Sequence, residues 1–234
     1  MAEGVRTIEG LLEQRWPLRS VLLSERRAAA SPALVALART AGAEVLVAPQ
    51  TLFDRVAGYH VHRGALALAV RPPEREASGV VAAARAVLVV EGVNDFENLG
   101  ALFRNAAAFG VGAVLLDPRA ADPLYRRCIR VSVGHVLRVP FARVPEWPAG
   151  LSVLGRAGFT TVALTPGAAR TVDEVAAAGP ERVAVMVGAE GDGLSAGALA
   201  AADLTARIPM AAGVDSLNVA TAAAVALHRL VPVR

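Results

Sequence analysis

The stretch IPMAAGVDSLNVATAAAVALHRL, residues 208–230, decides how this chain is read. Its second half has the composition of an Ala-rich helix. Its front end is a loop carrying a polar pair, Ser216 and Asn218, with Leu217 between them. Either polar side chain can cap the helix by accepting a hydrogen bond from its first free amides. The cap alone leaves open what else the loop and the pair do.

Working outward, the chain before this stretch alternates strand and helix. AVLVV (86–90) is a continuous apolar run of the kind found in buried parallel strands. ENLGALFRNAAAFG (97–110) reads as a helix stopped by Gly110. AVLLD (113–117) is the next strand, then come a helix near 122–131 and a strand HVLRVPF (135–141). TTVALT (160–165), RVAVMVG (182–188) and LTARIPM (204–210) read as the last three strands. Repeated βα units imply an α/β fold with a parallel sheet and helices on both faces. RPPEREASG (71–79) combines Pro, charge and small residues and reads as linker. Ahead of it lies a smaller α/β pattern: strands at 20–24, 44–48 and 65–70, a helix at 31–42 opened by Ser31 and Pro32, and a short helix at 51–58.

The chain has 234 residues, 54% hydrophobic and 19% charged, which is a globular composition. It has no apolar run of about 18 residues, so no membrane partner is expected. The N-terminal MAEGVRTIEGLLEQRW lacks a signal-peptide core, and Cys128 is a lone cysteine; a cytoplasmic location is expected. The net charge is +3, and all 24 basic residues are arginine. A GC-rich genome accounts for that bias, and guanidinium forks also suit phosphate binding. Arg126, Arg127 and Arg130 cluster on one expected helix, either tracking phosphates or simply solvated. His60 and His62 do not make a metal site by themselves, and no metal is expected. Cys128 lies among arginines that would lower its pKa, although a buried thiol is the plainer reading.

A dinucleotide site does not fit. The fingerprint runs strand, G-x-G-x-x-G, helix, whereas FGVGAV (109–114) lies between a helix and a strand. A phosphate loop of the G-x-x-x-x-G-K-[ST] kind needs a lysine the chain lacks. VGAEGDGLS (187–195) has the right order but holds Glu190 and Asp192, and carboxylates repel phosphate. In NLGALFRNAAAFG (98–110), Asn98 reads as a helix cap and Arg104 as a face residue when the segment is taken alone.

Taken together, NLGALFRNAAAFG, GAEGDGLS and IPMAAGVDSLNVATAAAV occur in this order, each at the C-terminal end of a strand. This resembles the three signature motifs of the SpoU (TrmH-like) family of RNA 2′-O-ribose methyltransferases in the SPOUT superfamily. The resemblance implies a parallel-sheet SPOUT domain with a C-terminal trefoil knot over 85–234. It implies a linker at 73–84 and a small α/β, ribosomal-protein-like, RNA-substrate-binding domain over 1–72. Patterning would not suggest a knot, since knots are rare among folds. The implied cofactor is S-adenosylmethionine, and the implied assembly is a homodimer through the catalytic domain.

By the same resemblance the catalytic set is Asn98, Arg104, Glu190, Ser216 and Asn218. Backbone and apolar groups of Leu164, Thr165, Gly188, Ile208, Met210, Leu217, Asn218 and Ala220 would hold the cofactor. Arg104 would bind RNA and help activate the hydroxyl; a guanidinium is a poor base, so phosphate anchoring and charge stabilisation are the expected roles. Glu190 would orient Arg104 or a substrate group. Ala189 stands where a serine is common. The implied activity is methyl transfer from S-adenosylmethionine to a ribose 2′-hydroxyl, with ribosomal RNA the expected substrate. The alternatives are a tRNA 2′-O-methyltransferase and a non-catalytic RNA-binding protein that keeps the fold.

Overall fold

The computed structural model describes residues 1–58 and 63–231; His60 and His62 lie outside the described residues. The chain divides into two compact units, one formed by Met1–Pro73 with Leu124–Arg138, the other by Glu74–Pro123 with Val139 onward.

In the first unit, β1 (Ala2–Glu3), α1 (Val5–Glu13), β2 (Leu18–Ser24), α2 (Glu25–Ala30), α3 (Pro32–Thr40), β3 (Glu44–Ala48), α4 (Gln50–Ala57) and β4 (Ala65–Ala69) follow in order. The four strands form one sheet in the order β1-β4-β2-β3. β2 and β3 are parallel, and β4 runs antiparallel to β2. Ser24 ends β2 and caps α2 by accepting from the Arg27 amide at 3.3 Å. Ser31 makes no side-chain cap for α3; Pro32 at the first turn presets its dihedral angle instead. Ile8, Leu11, Leu23 and Phe53 are fully buried.

The second unit begins with α5 (Ala77–Ala82), so the stretch 73–84 carries a helical turn as well as loop. β5 (Ala86–Glu91), α6 (Phe96–Ala108) and β6 (Ala113–Leu116) follow. The chain then departs into the first unit, where it forms α7 (Arg126–Val131) and a 3-10 turn at His135–Leu137. There Arg138 pairs with Glu13 of α1 at 2.6 Å. The expected strand over 135–141 is therefore a turn followed by β7, which is only Phe141–Arg143. Gly134 in the left-handed region opens that turn, and Pro140 supplies no amide for a ladder.

The remaining elements are α8 (Ser152–Arg156), β8 (Thr160–Leu164), α9 (Val172–Ala177), β9 (Val183–Gly188), α10 (Ala196–Ala200), β10 (Leu204–Ala206) and α11 (Val219–Leu230). β10 is shorter than the expected 204–210, because the chain turns away before Pro209. The sheet order is β10-β8-β9-β5-β6-β7, and every pairing is parallel. Every residue of β5 and β6 is buried, the burial expected of a parallel sheet covered on both faces.

Starting from β5, the chain first adds β6 and β7 on one side, and later places β9 on the other. Loops leaving β5 and β9 therefore diverge at a switch in winding direction. Crevices at such points, beyond the carboxyl ends of the strands, are where ligands bind in open α/β sheets. The register sets Glu91 of β5 opposite Gly188 of β9, and Leu164 of β8 opposite Ala206 of β10. Among the described residues no helix is long and apolar enough to cross a membrane.

Candidate active site

The loop after β9 is possible only because Gly188 has no side chain. A Cβ there would lie 2.1 Å from the Gly193 carbonyl carbon and 2.3 Å from the Leu194 nitrogen. The loop folds back on itself through the Gly193 amide, which donates to the Ala189 carbonyl at 3.0 Å, and it carries Glu190 at its bend. Ser195 closes it by capping α10, accepting from the Ala198 amide at 3.2 Å.

Opposite that loop, α11 starts at Asn218. Its Oδ1 accepts from the amides of Ala220 at 3.0 Å and Thr221 at 3.2 Å, so Asn218 is the cap. Ser216 is exposed and does not cap. At α6 the cap is Asp95, accepting from the amides of Glu97 and Asn98, both at 2.8 Å. Asn98 is thus not the cap read from the sequence. An aspartate three residues earlier takes that role and frees the Asn98 side chain.

That side chain joins a closed ring of three. Asn98 Nδ2 donates to Glu190 Oε1 at 3.1 Å; Asn218 Nδ2 donates to the same oxygen at 2.6 Å and to Asn98 Oδ1 at 2.8 Å. The orientation follows from chemistry. A carboxylate only accepts, so both amides must turn their NH2 groups toward it. Asn98 Oδ1 is then left to accept from Asn218, and Asn218 Oδ1 is left for the helix amides. Cap and site are one hydrogen-bonded unit. Behind it, Asn105 Nδ2 donates to the Ala220 carbonyl at 2.7 Å and ties α6 to α11.

Two cavities flank this ring. The first, of about 500 Å³, is lined by Leu164, Thr165, Gly188, Ile208, Met210, Ser216, Leu217 and Asn218, together with Pro166, Val187, Ala206, Val219 and Ala222. Its wall is apolar side chain and exposed backbone, and its size suits a small organic ligand. Ala220 lies outside the lining; its amide and carbonyl are committed to Asn218 and Asn105. The second cavity, of about 570 Å³, shares Ala189, Glu190, Gly193 and Val219 with the first. It is lined otherwise by charged and polar groups, among them Glu91, Asp95, Asn98, Arg119 and Asp192.

Arg104 is exposed on α6 and lines neither cavity. It stands six residues beyond Asn98, about 240° around the helix, so the two side chains leave on different faces. Glu190 orients the two asparagines and not Arg104. Arg126, Arg127 and Arg130 are exposed on α7, in the first unit. Cys128, on the same helix, is fully buried, as expected of a structural thiol. Among the described residues no cluster of His, Cys, Asp and Glu could hold a metal ion.

Sequence reasoning missed Glu91, Asp117 and Arg119. Glu91 and Asp117 end or follow wholly apolar strands, β5 and β6, and are buried. A lone acid at the carboxyl end of such a run was the available signal.

A parallel α/β sheet with a glycine-closed loop and a capped helix facing one cavity at its switch point places a small-ligand site where open α/β folds carry one. The comparisons narrow this. The SpoU rRNA Methylase family model matches residues 85–228, and the model for RNA 2′-O ribose methyltransferase substrate binding matches residues 1–75. The chain belongs to the SpoU family of RNA methyltransferases. An uncharacterized tRNA/rRNA methyltransferase from Mycobacterium bovis is 47% identical over 230 residues, covering 97% of this chain and 79% of that protein. A crystal structure of an RNA 2′-O ribose methyltransferase superposes with TM-score 0.78 at 31% identity, covering 97% of this chain and 86% of the other. The SpoU methyltransferase AviRb from Streptomyces viridochromogenes, in complex with the cofactor AdoMet, shares the fold with TM-score 0.84 at 24% identity, covering 98% of this chain and 88% of the other.

Proposed function

We propose that this protein transfers a methyl group from S-adenosylmethionine to a ribose 2′-hydroxyl of RNA, with ribosomal RNA as the substrate. The observation that carries this reading is the ring of Asn98, Glu190 and Asn218. Three segments distant in the chain meet through hydrogen bonds of 2.6–3.1 Å on the border between an apolar cavity and a polar one.

The apolar cavity fits the cofactor. Its volume is in the range of small-ligand sites, and Ile208, Met210, Leu217 and Leu164 offer flat apolar contact for an adenine. Thr165 and Gly188 present backbone groups, and Ser216 adds a hydroxyl. S-adenosylmethionine, when bound, supplies an electrophilic methyl on a sulfonium. The Glu190 carboxylate, held by two amides, offers fixed negative charge near that cavity. Asn98, on the polar cavity where the ribose would enter, and Asn218, on the apolar one, keep it in place. Positioning of this kind can supply much of the acceleration of a transfer reaction. Arg104, exposed on α6 outside both cavities, binds an RNA phosphate; its guanidinium does not take the proton. Arg126, Arg127 and Arg130 contribute phosphate contacts from the first unit, whose expected role over 1–72 is RNA binding. The catalytic units act as a homodimer.

The test is tritium transfer from labelled S-adenosylmethionine to unmodified transcripts of 16S rRNA, 23S rRNA and a tRNA pool, followed by mapping of alkali-resistant linkages. Label in rRNA at a 2′-O-methyl position is the expected result. Label in tRNA alone would move the substrate assignment. Label on a base, or none, would overturn the reaction. Sedimentation of the purified protein as a monomer would overturn the dimer.

A further inference from the structure

Within the polar cavity, one cation is built into its wall in a way the motifs do not describe. Arg119 sits in the loop after β6. Its Nε donates to Asp117 Oδ2 at 3.2 Å, and one Nη lies 3.6 Å from Glu91 Oε1. Both carboxylates are buried, with side chains 0% and 2% exposed, whereas the Arg119 side chain is 69% exposed. The acids are also bound by other donors. Asp117 accepts from the amides of Gly92 at 2.9 Å and Ala120 at 2.8 Å. Glu91 accepts from the Trp147 indole at 2.6 Å and the Ser195 amide at 2.8 Å.

The loop beneath is equally constrained. Arg143 of β7 donates to the carbonyl of Asp117 at 3.0 Å and of Ala121 at 3.1 Å. The Ala121 amide donates to Val93 at 3.0 Å. Gly92, at φ +68°, takes the left-handed conformation that favours glycine and turns the chain beside the guanidinium. One edge of the guanidinium is thus fixed by buried acids, and the remaining N–H groups are exposed where the cavity opens. A guanidinium with one edge anchored has lost most of the freedom that binding would otherwise cost, and its free edge suits a phosphate bidentately. Of the carboxylates on the wall, Asp95 caps α6 and Glu190 holds two amides, while Asp192 is exposed on the glycine loop.

We propose that Arg119 is a substrate-anchoring residue that grips an RNA backbone phosphate next to the ribose entering the polar cavity lined by Asn98 and Glu190. Asp117 and Glu91 act as its positioning residues. This rests on the RNA 2′-O-methyl transfer reading above. Arg119 contributes to substrate binding and register, and not to cofactor binding, because it does not line the apolar cavity.

The test compares the full-length protein with Arg119→Gln and Arg119→Lys, using the rRNA transcript that the wild type methylates. For Arg119→Gln, KM for RNA rises about tenfold, while kcat and the calorimetric Kd for S-adenosylmethionine stay within about twofold of wild type. The slope of log Kd for RNA against log salt becomes shallower by about 0.7–0.9, the signature of one lost phosphate contact. Arg119→Lys keeps a charge facing the two acids and folds normally, yet lacks the fork; its KM rises several-fold. An unchanged salt slope in Arg119→Gln, or an unchanged KM in Arg119→Lys, overturns the proposal. So does a loss of cofactor affinity parallel to the loss of RNA affinity, which marks a purely structural ion pair. A wild type that transfers no methyl to any RNA defeats the underlying reading instead, and the two failures are distinguishable.

Discussion

The cavity bordered by Ile208, Met210 and Leu217 and the one bordered by Asp95, Asn98 and Arg119 share a wall at Ala189, Glu190, Gly193 and Val219, yet they are made differently. The first is shaped by backbone: a glycine loop, a chain that leaves β10 early, and a helix start. The second is shaped by side chains, with buried acids at the ends of β5 and β6 fixing one exposed arginine. The difference teaches where each can be damaged. A backbone-built site fails when chain conformation is forced, and a side-chain-built site fails when one partner is removed. Five substitutions, two of them followed across pH, separate these modes.

The largest effect is expected at the shared wall. Gly188→Ala drives a methyl group into the Gly193 carbonyl, at 2.1 Å, where backbone cannot give way cheaply. Overpacking of this severity costs about 3 kcal/mol or more. Calorimetry should find S-adenosylmethionine binding lost, with RNA affinity reduced far less. Wild-type cofactor affinity would show that the loop does not shape the first cavity.

At the border, Asn218 serves both sides, so two replacements divide its roles. Asn218→Ala removes cap and ring together, and should lower stability by about 1 kcal/mol and kcat by about a hundredfold. Asn218→Asp keeps the cap oxygen but sets a second carboxylate against Glu190 Oε1, where the amide now donates at 2.6 Å. Like charges at that range raise one carboxyl pKa. This variant should therefore be least stable near neutral pH and regain stability as pH falls toward about 5, the reverse of ordinary acid behaviour. Thermal melts across pH check it; a variant with wild-type kcat at neutral pH would remove Asn218 from the site.

Behind the border, Asn105→Ala deletes the 2.7 Å bond to the Ala220 carbonyl. A loss of about 1 kcal/mol, or about 2–4 °C in melting temperature, is expected, with RNA and cofactor affinity nearly intact.

The smallest effect is expected where β8 and β10 begin, at the strand ends away from the apolar cavity. Asp203 accepts from the Thr161 amide at 2.8 Å and from its hydroxyl at 2.7 Å, joining the chain before β10 to β8. These bonds, the amide first, hold its carboxyl below the usual aspartate range. A lowered folded pKa means that this stabilisation is fully present above the ordinary value near about 4, and is lost as pH falls through the folded value. Asp203→Asn should lower the melting temperature by about 2 °C at neutral pH, with the gap to wild type closing in acid. A gap that persists unchanged at low pH would assign the effect to packing.

Much of the frame was legible from local pattern. Continuous apolar runs marked β5 and β9 within a residue or two, because a strand buried on both faces has nowhere to place a polar side chain. Asn218 as cap was legible for a similarly local reason. The failures were also local readings. Asn98 looked like a cap because the sequence cannot say which of Asp95 and Asn98 the first amides will reach. HVLRVPF looked like a strand because its apolar content outweighed Gly134 and Pro140. Arg104 was expected beside Glu190 because motif order carries no information about helix phase.

The sequence by itself determined the strand and helix content, the glycine loop, the capped final helix and the residues whose company resembles a methyltransferase family. Those are properties of short segments, where side-chain type and backbone propensity act within a few residues. Only the tertiary structure decided that Asn98, Glu190 and Asn218 close one ring, that residues 124–138 leave the second unit for the first, and that Glu91 and Asp117 hold Arg119. Each of those depends on strand order and register, which set residues distant in sequence beside one another.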